Sequence, residues 1–294
     1  MGKQRVVLDG PSNLGLRPPV KGAVPGCYKL AGALRDQGLL QRINASDAGC
    51  VTPPRYDREG WQPGDGVFNA EAMASYTVRL ADRLTKLFDD QRFVVLLGGE
   101  CSNLLGPALA LKRRGRYGVV YLDGHSDFRT VDNSPYVGAA GGEALALVTG
   151  RGQVDLTDLE GLSPYVRDTD AALLGIREDD EYVGDVEAAG IPVWSALRIM
   201  AERAADGVLQ HLEREELDGF WVHLDVDILD AEVTPAVDSP DPGGIDHSQL
   251  QALLHPLLAS PDCMGIDIGI FDPDLDPDGV YAAELTDTLV ASLT

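Results

Sequence analysis

The chain has 294 residues, which leaves room for two domains at roughly 150 residues each, although α/β folds of this length are often one continuous sheet. With 44% hydrophobic and 24% charged residues the composition is that of an ordinary globular protein and excludes disorder, collagen-like repeats and coiled coil. Lys+Arg 24 against Asp+Glu 47 gives a formal net charge of −23, which repels nucleic acid and anionic membrane surfaces.

In chain order, residues 6–8 read as the first buried strand, followed by a Gly- and Pro-rich loop over 11–26. Met73, Tyr76, Leu80, Leu84, Leu87 and Phe88 recur at three- and four-residue spacing, placing one apolar stripe on a helix that Asn69 is positioned to cap. Short continuous apolar runs at 93–97, 118–122, 171–174, 191–194, 219–224 and 264–271 read as strands of a parallel sheet. Helices are expected over 102–114, 196–217, 246–260 and 279–293, and a second ordered loop over 128–142. This alternation calls for one mostly parallel sheet with helices on both faces, in one domain spanning 1–294. Cys27, Cys50, Cys101 and Cys263 form no CxxC pair or short-spaced framework, which fits a reducing compartment. No basic start followed by an apolar run and no 18-residue apolar stretch occurs, so a cytoplasmic protein is expected.

Chemistry is concentrated where strands end. Asp123-Gly-His125-Ser-Asp127 follows the run VVYL, and residues two apart in an extended chain share a face, so the three side chains can converge. His223-Leu-Asp225-Val-Asp227-Ile-Leu-Asp230 follows GFWV and places Asp225 and Asp227 together by the same rule. Alone, either cluster is as readily a cap or a surface turn. Together, four carboxylates and an imidazole in one cleft call for divalent cations to offset their mutual repulsion. Oxygen-rich ligation with one His suits Mn²⁺, Mg²⁺ or Fe²⁺, and two such ions would polarise a bridging water into hydroxide. In Gly98-Gly99-Glu100-Cys101-Ser102 the glycines permit a sharp turn into a helix, whose N-terminus would favour a thiolate at Cys101. Cys101 is then a metal ligand, a nucleophile or a small buried residue.

GGECS, DGHSD and HLDVDILD followed by PAVDSPDPGG, in this order and covering nearly the whole chain, resemble the signature set of the ureohydrolase superfamily of arginase, agmatinase, guanidinobutyrase and formiminoglutamase. The resemblance implies a three-layer α/β/α sandwich around a parallel sheet of about eight strands. It further implies a dinuclear manganese centre, a small-molecule substrate, and a trimer or hexamer of identical chains. Carried over by position, Asp123 and Asp225 would bridge two Mn²⁺, His125 and Asp227 would complete one, and Cys101 with Asp127 the other. His125 and Asp127 are also the implied catalytic residues, Asp127 as proton relay to the leaving amine.

The chain departs from that pattern at several places. Cys101 replaces a ligand His, as in the hydroxyarginine-hydrolysing branch that serves D-cycloserine biosynthesis, and its sulfur shifts preference toward Zn²⁺ or Fe²⁺. Glu100 replaces Asp, Arg129 replaces Asn, and AAGGEALALVTG lacks the family's proton-shuttling His. The Glu that hydrogen-bonds a guanidinium falls at Ile270, which accepts no hydrogen bond. Asp180 matches a position that contacts a substrate α-amino group and Ser239 a hydroxyl-bearing one. Arg129 could hold an anion in bidentate fashion, or pair with Asp132 or Glu143; Asp180 could be merely solvated. His223 is read as a core or supporting residue on the opposite strand face from the ligands, His211, His247 and His255 as surface residues, and Asp272 to Asp278 as a turn rather than a Ca²⁺ site. The expectation is a hydrolase that releases urea from a guanidino or modified, N-hydroxyarginine-like compound. A formiminoglutamase-like amidine hydrolase and a catalytically silent binding relative are the alternatives. Retention of five of the six ligand types favours an active enzyme.

Overall fold

The structure, a computed structural model, describes residues 3–57, 60–200 and 203–294. Strands β1 (Arg5–Gly10), β2 (Ser46–Cys50), β3 (Phe93–Gly98), β4 (Gly118–Leu122), β5 (Ala171–Ile176), β6 (Val193–Ser195), β7 (Phe220–Asp225) and β8 (Cys263–Gly269) form one sheet. Their order is β2-β1-β3-β8-β7-β4-β5-β6, and every neighbouring pair is parallel. The runs FVVLL and GVVYL are apolar at consecutive positions because both faces of the sheet are covered: β3, β4, β5 and β7 are buried at every residue.

The covering helices pack among themselves in groups. Ala70–Asp89 lies against Leu105–Lys112, while His247–Ala259 lies against Val280–Leu293 and Ala204–Arg214. The stripe Met73, Tyr76, Leu80, Leu84, Leu87 and Phe88 is buried throughout, and Phe88 meets Trp221 of β7 edge to face at 6.0 Å. This is the α/β/α sandwich expected from the alternation.

The differences have local causes. Strand β2, SDAGC, buries only Ala48; as an edge strand carrying polar side chains it has no apolar run to read. The helix expected over 196–217 narrows to Ala204–Arg214, with residues 201 and 202 outside those described. Leu30–Asp36, Ala144–Val148 and Val183–Ala188 are helices too short to show a periodic stripe. Asn69 stands at the N-cap position in left-handed backbone, φ 58°, and makes no side-chain cap. Its amide donates instead to Leu14 O at 2.9 Å, tying the 11–26 loop to the helix. The four cysteines are free, and among the described residues no helix is long and apolar enough to cross a membrane.

The strand order determines where chemistry can assemble. β3, β8, β7 and β4 lie side by side at the centre, and Leu122 pairs with Leu224 while Asp225 pairs with Gly269. Asp123 and Asp225 therefore leave the sheet at one level of its carboxyl edge, the edge that binds ligands in open parallel sheets.

Candidate metal centre and substrate cleft

The turn after β3 begins with a close approach. A Cβ on Gly99 would lie 1.6 Å from Ser12 O, so only glycine lets the 11–26 loop press on the strand end. Glu100 then turns inward. Its carboxylate, fully buried, caps the 3₁₀ turn Cys101–Leu104 through Ser102 N at 2.9 Å and accepts the hydroxyls of Ser102 (2.6 Å) and Ser12 (3.3 Å). It is committed to the backbone behind the site, leaving Cys101 to face it.

Cys101 Sγ lies 3.0 Å from Asp225 Oδ2. Burial first, and the Asp225, Asp127 and Asp123 charges after it, push its thiol well above the usual range. The thiolate expected from a helix N-terminus is thus disfavoured by the protein itself; only a cation beside the sulfur would reverse this. The thiol instead donates to Asp225.

The carboxylates are knitted together by backbone amides. Asp123 Oδ1 accepts His125 N at 2.6 Å, Asp225 Oδ1 accepts Asp227 N at 2.7 Å, and Asp227 Oδ1 accepts Gly124 N at 3.1 Å. His125 Nδ1 meets Asp227 Oδ2 at 2.9 Å and stands 3.7 Å from Asp123 Oδ1, while Nε2 meets Asp241 Oδ2 at 3.0 Å. Asp127, in left-handed backbone at φ 43°, accepts the Tyr121 hydroxyl on Oδ2 at 2.5 Å. Asp123 Oδ2 is buried and has no hydrogen-bond partner.

Burial and then the Asp227 charge push Asp123 up to about 7. Burial also raises Asp127 and Asp225 well above the carboxylate range, reinforced by Asp123 and by Asp227 respectively. Asp227 alone is lowered: burial acts against ionisation, but His125 beside it prevails. On His125 burial acts downward, yet the Asp227 charge and the hydrogen bonds to Asp123 and Asp227 raise it. Anions this closely packed and an orphaned carboxylate oxygen suit divalent cations. Two sets of donor atoms lie within 4.8 Å of one another, Asp123 with His125 and Asp227, and Asp123 with Cys101 and His223.

A pH effect follows. In the metal-free protein, stability is expected to fall as pH rises from about 4 to about 7, because an unfolded Asp ionises near 4 while Asp123 in the fold keeps its proton up to about 7, so the folded state binds more protons in this window. Asp127 and Asp225 act in the same sense; the opposite effect of Asp227 is confined below about 4. Melting with and without Mn²⁺ across this window checks it: the gap in Tm should widen with pH, and a constant gap would contradict the assignment.

Above this floor is a cleft of about 250 Å³ lined by Cys101, His125, Asp127, Asp225 and Asp227 together with Arg129, Asp180, Ser239 and Ile270. Every substrate-contact position expected from the sequence therefore reaches the same cavity. Arg129 forms no ion pair with Asp132 or Glu143; its guanidinium lies 5.8 Å from the Tyr182 ring centroid, and Glu143 accepts Gly138 N instead. Asp180 is not merely solvated, since its two oxygens accept Ser126 N and Tyr182 N at 3.0 and 2.8 Å. Ile270 is buried at 3% exposure with φ 75°, a conformation costly for a β-branched side chain.

His223 corrects the sequence reading. It lies not on the opposite face but with the ligands, fully buried one tier below Asp225, stacked on Tyr121 at 4.4 Å. Tyr121, Asp241, Tyr182 and Asp267 are contacts the sequence did not single out. Asp230 accepts Glu232 N, Gly243 N and Gly244 N and shapes the following loop. His255 is exposed, His211 and His247 half-buried and bonded to Thr169 O and Thr288 Oγ1. Asp272 to Asp278 forms the expected turn, with Asp272 accepting Asp274 N and Asp274 pairing with Lys29.

Known proteins carry the same architecture. The arginase of Bacillus subtilis is 27% identical over 272 residues, covering 88% of this chain and 90% of that one. The arginase of Agrobacterium fabrum is 29% identical over 289 residues, covering 92% and 86%. The solved arginase of Bacillus caldovelox superposes with a TM-score of 0.88 at 24% identity, covering 99% and 98%. The model of the Arginase family matches residues 26–294, nearly the whole span of the sheet and its carboxyl-edge cluster, and the chain belongs to that family.

Proposed function

We propose that the protein is a metal-dependent hydrolase of C–N bonds in a guanidino or modified guanidino compound of the N-hydroxyarginine type, releasing urea from an unmodified group and hydroxyurea from an N-hydroxylated one. The observation that carries the reading is the floor of the cleft, where Cys101, His125, Asp127, Asp225 and Asp227 converge over Asp123. Asp123 and Asp225, with His125 and Asp227 on one side and Cys101 and Asp127 on the other, would hold two cations. Mn²⁺ suits the oxygen-rich side, and Zn²⁺ or Fe²⁺ the sulfur side. Bound there, the cations would supply Lewis acidity and a nucleophile drawn from water at neutral pH.

The chain's own groups do the rest. Tyr121 holds Oδ2 of Asp127, fixing that carboxyl so that it can pass a proton to the leaving amine. Ile270 presents an apolar wall where a guanidinium would need an acceptor, which favours a less basic substrate. Arg129, without an ion-pair partner among the described residues and lying over Tyr182, could hold the substrate's anionic end.

Arg129→Ala is therefore expected to raise KM for a carboxylate-bearing substrate roughly 10–100-fold, the worth of a charge-assisted hydrogen bond, with kcat nearly unchanged. Steady-state kinetics against a decarboxylated analogue check this, because the analogue should be indifferent to the substitution. The function itself is tested with Mn²⁺-loaded protein of measured metal content on arginine, N-hydroxyarginine, agmatine, guanidinobutyrate and formiminoglutamate. Hydroxyurea with ornithine from N-hydroxyarginine is the expected result; formamide from formiminoglutamate alone would replace the proposed reaction, and a protein that takes up no Mn²⁺ and releases no product from any of the five would refute it.

A further inference from the structure

His223 combines three features. Its ring is fully buried, its Nδ1 lies 2.6 Å from Asp267 Oδ2, and its Nε2 has no partner. Asp267 is in register with His223 on the adjacent strand, and its other oxygen accepts Trp221 Nε1 at 2.5 Å. A carboxylate that already accepts one N–H is an acceptor for the imidazole as well, so Nδ1 carries the proton and Nε2 presents a bare lone pair. Stacking on Tyr121 at 4.4 Å fixes the plane of the ring.

That lone pair is aimed at the metal cluster. A ring nitrogen of His223, Cys101 Sγ and an Asp123 oxygen lie within 4.8 Å of one another; with Nδ1 held by Asp267, Nε2 is the nitrogen left to serve there, and Asp123 Oδ2 is also buried without a partner among the described residues. Two acceptors, both buried and both unpaired, face a common point; what satisfies both is a positive centre between them. A carboxylate that holds the far nitrogen of an imidazole is also the usual support of a metal-ligating histidine.

We infer that His223 is a metal ligand, supplying with Cys101 and Asp123 the donors of one cation position, while Asp123, His125 and Asp227 form the other. The inference deepens the proposed function and rests on its reading that the cluster holds cations. It makes the two positions more unequal: sulfur and nitrogen donors on the His223 side select Zn²⁺, Co²⁺ or Fe²⁺, and the His125 side retains preference for Mn²⁺. Asp267 is a positioning residue, acting only through the imidazole.

X-ray absorption on the intact protein loaded with Co²⁺, with metal content measured on the same sample, counts the ligands without any substitution. Two imidazoles and one sulfur for two cobalt ions per chain are expected. His223→Ala should drop the content to one cobalt and abolish the thiolate-to-cobalt charge-transfer band, and Asp267→Asn should weaken the same position about 10–100-fold. Two cobalt ions with a single imidazole, or a His223→Ala protein that keeps two ions and an unchanged band, would overturn the role of His223 while leaving the metal centre standing. Wild-type protein that takes up no cobalt, Mn²⁺ or Zn²⁺ would overturn the metal reading itself, and this inference with it.

Discussion

Asp123→Ala is expected to strip the cluster of its cations and end turnover in one step, whereas Asp230→Ala, which alters an acidic residue of the same sequence motif, should leave metal content intact. The contrast comes from position. Asp123 is the donor common to both sets of converging side chains, its Oδ1 held by His125 N and its Oδ2 unpartnered, so no other carboxylate can replace it at the shared point. Asp230 spends its oxygens on three backbone amides of the following loop. Removing the charge also relieves part of the repulsion on Asp225 and Asp127, which burial keeps raised, so the metal-free variant should lose the share of the pH dependence of its stability that Asp123 supplies and keep the rest. Metal analysis, thermal melting by circular dichroism across pH, and hydroxyurea or urea release on one preparation read all three. A folded Asp123→Ala protein retaining two ions per chain would remove Asp123 from the bridging role, and with it the idea that one residue couples the two positions.

Why Asp123 could be singled out from the sequence while His223 was misplaced is a matter of range. DGHSD and HLDVDILD announce themselves because a strand has a two-residue period and its end lies at a ligand-binding edge; the spacing of Asp225 from Asp227 needs nothing outside the motif. His223 obeys the same period as Asp225, so its face followed from the spacing and was misread; its purpose could not be read, because that depends on Asp267 of β8, 44 positions on, and Tyr121 of β4, about 102 positions back, which only the sheet order brings beside it. Asp241 on His125 Nε2 is hidden for the same reason. In the fold, buried central strands were readable as apolar runs, and β2 was not, because SDAGC exposes four of its five residues. The capping reading of Asn69 failed because its backbone is left-handed and its Oδ1, the atom that would cap, accepts Asp57 N at 3.2 Å. The thiolate reading of Cys101 failed because helix-end electrostatics are weak beside burial among three carboxylates.

Ile270→Glu is expected to raise kcat/KM for an unmodified guanidinium substrate roughly 10–100-fold, the range a charge-assisted hydrogen bond provides, and to lower activity on the less basic native substrate. Ile270 lines the cleft beside Ser239 and Asp238, and its backbone is pinned by the bond from its N–H to Gly99 O at 2.7 Å, so a longer side chain extends into the cavity from a fixed root. The backbone also favours the change. At φ 75° the branched Cβ of Ile carries strain of about 1–3 kcal/mol, part of which an unbranched Glu avoids. The cost is electrostatic: another carboxylate joins Asp127, Asp225 and Asp227 around one cavity, so metal-free Ile270→Glu should melt below the parent at neutral pH, and bound cations should close that gap. Ile270→Gln separates charge from shape, since it offers an acceptor of the same reach without the anion and should gain less on the guanidinium. Equal gains by Glu and Gln would mean that space rather than charge governs selection at this wall. No gain by either, in protein with full metal content, would show that the exclusion of guanidinium is set elsewhere in the cleft, with Arg129 the next residue to replace because its cation repels the same substrate.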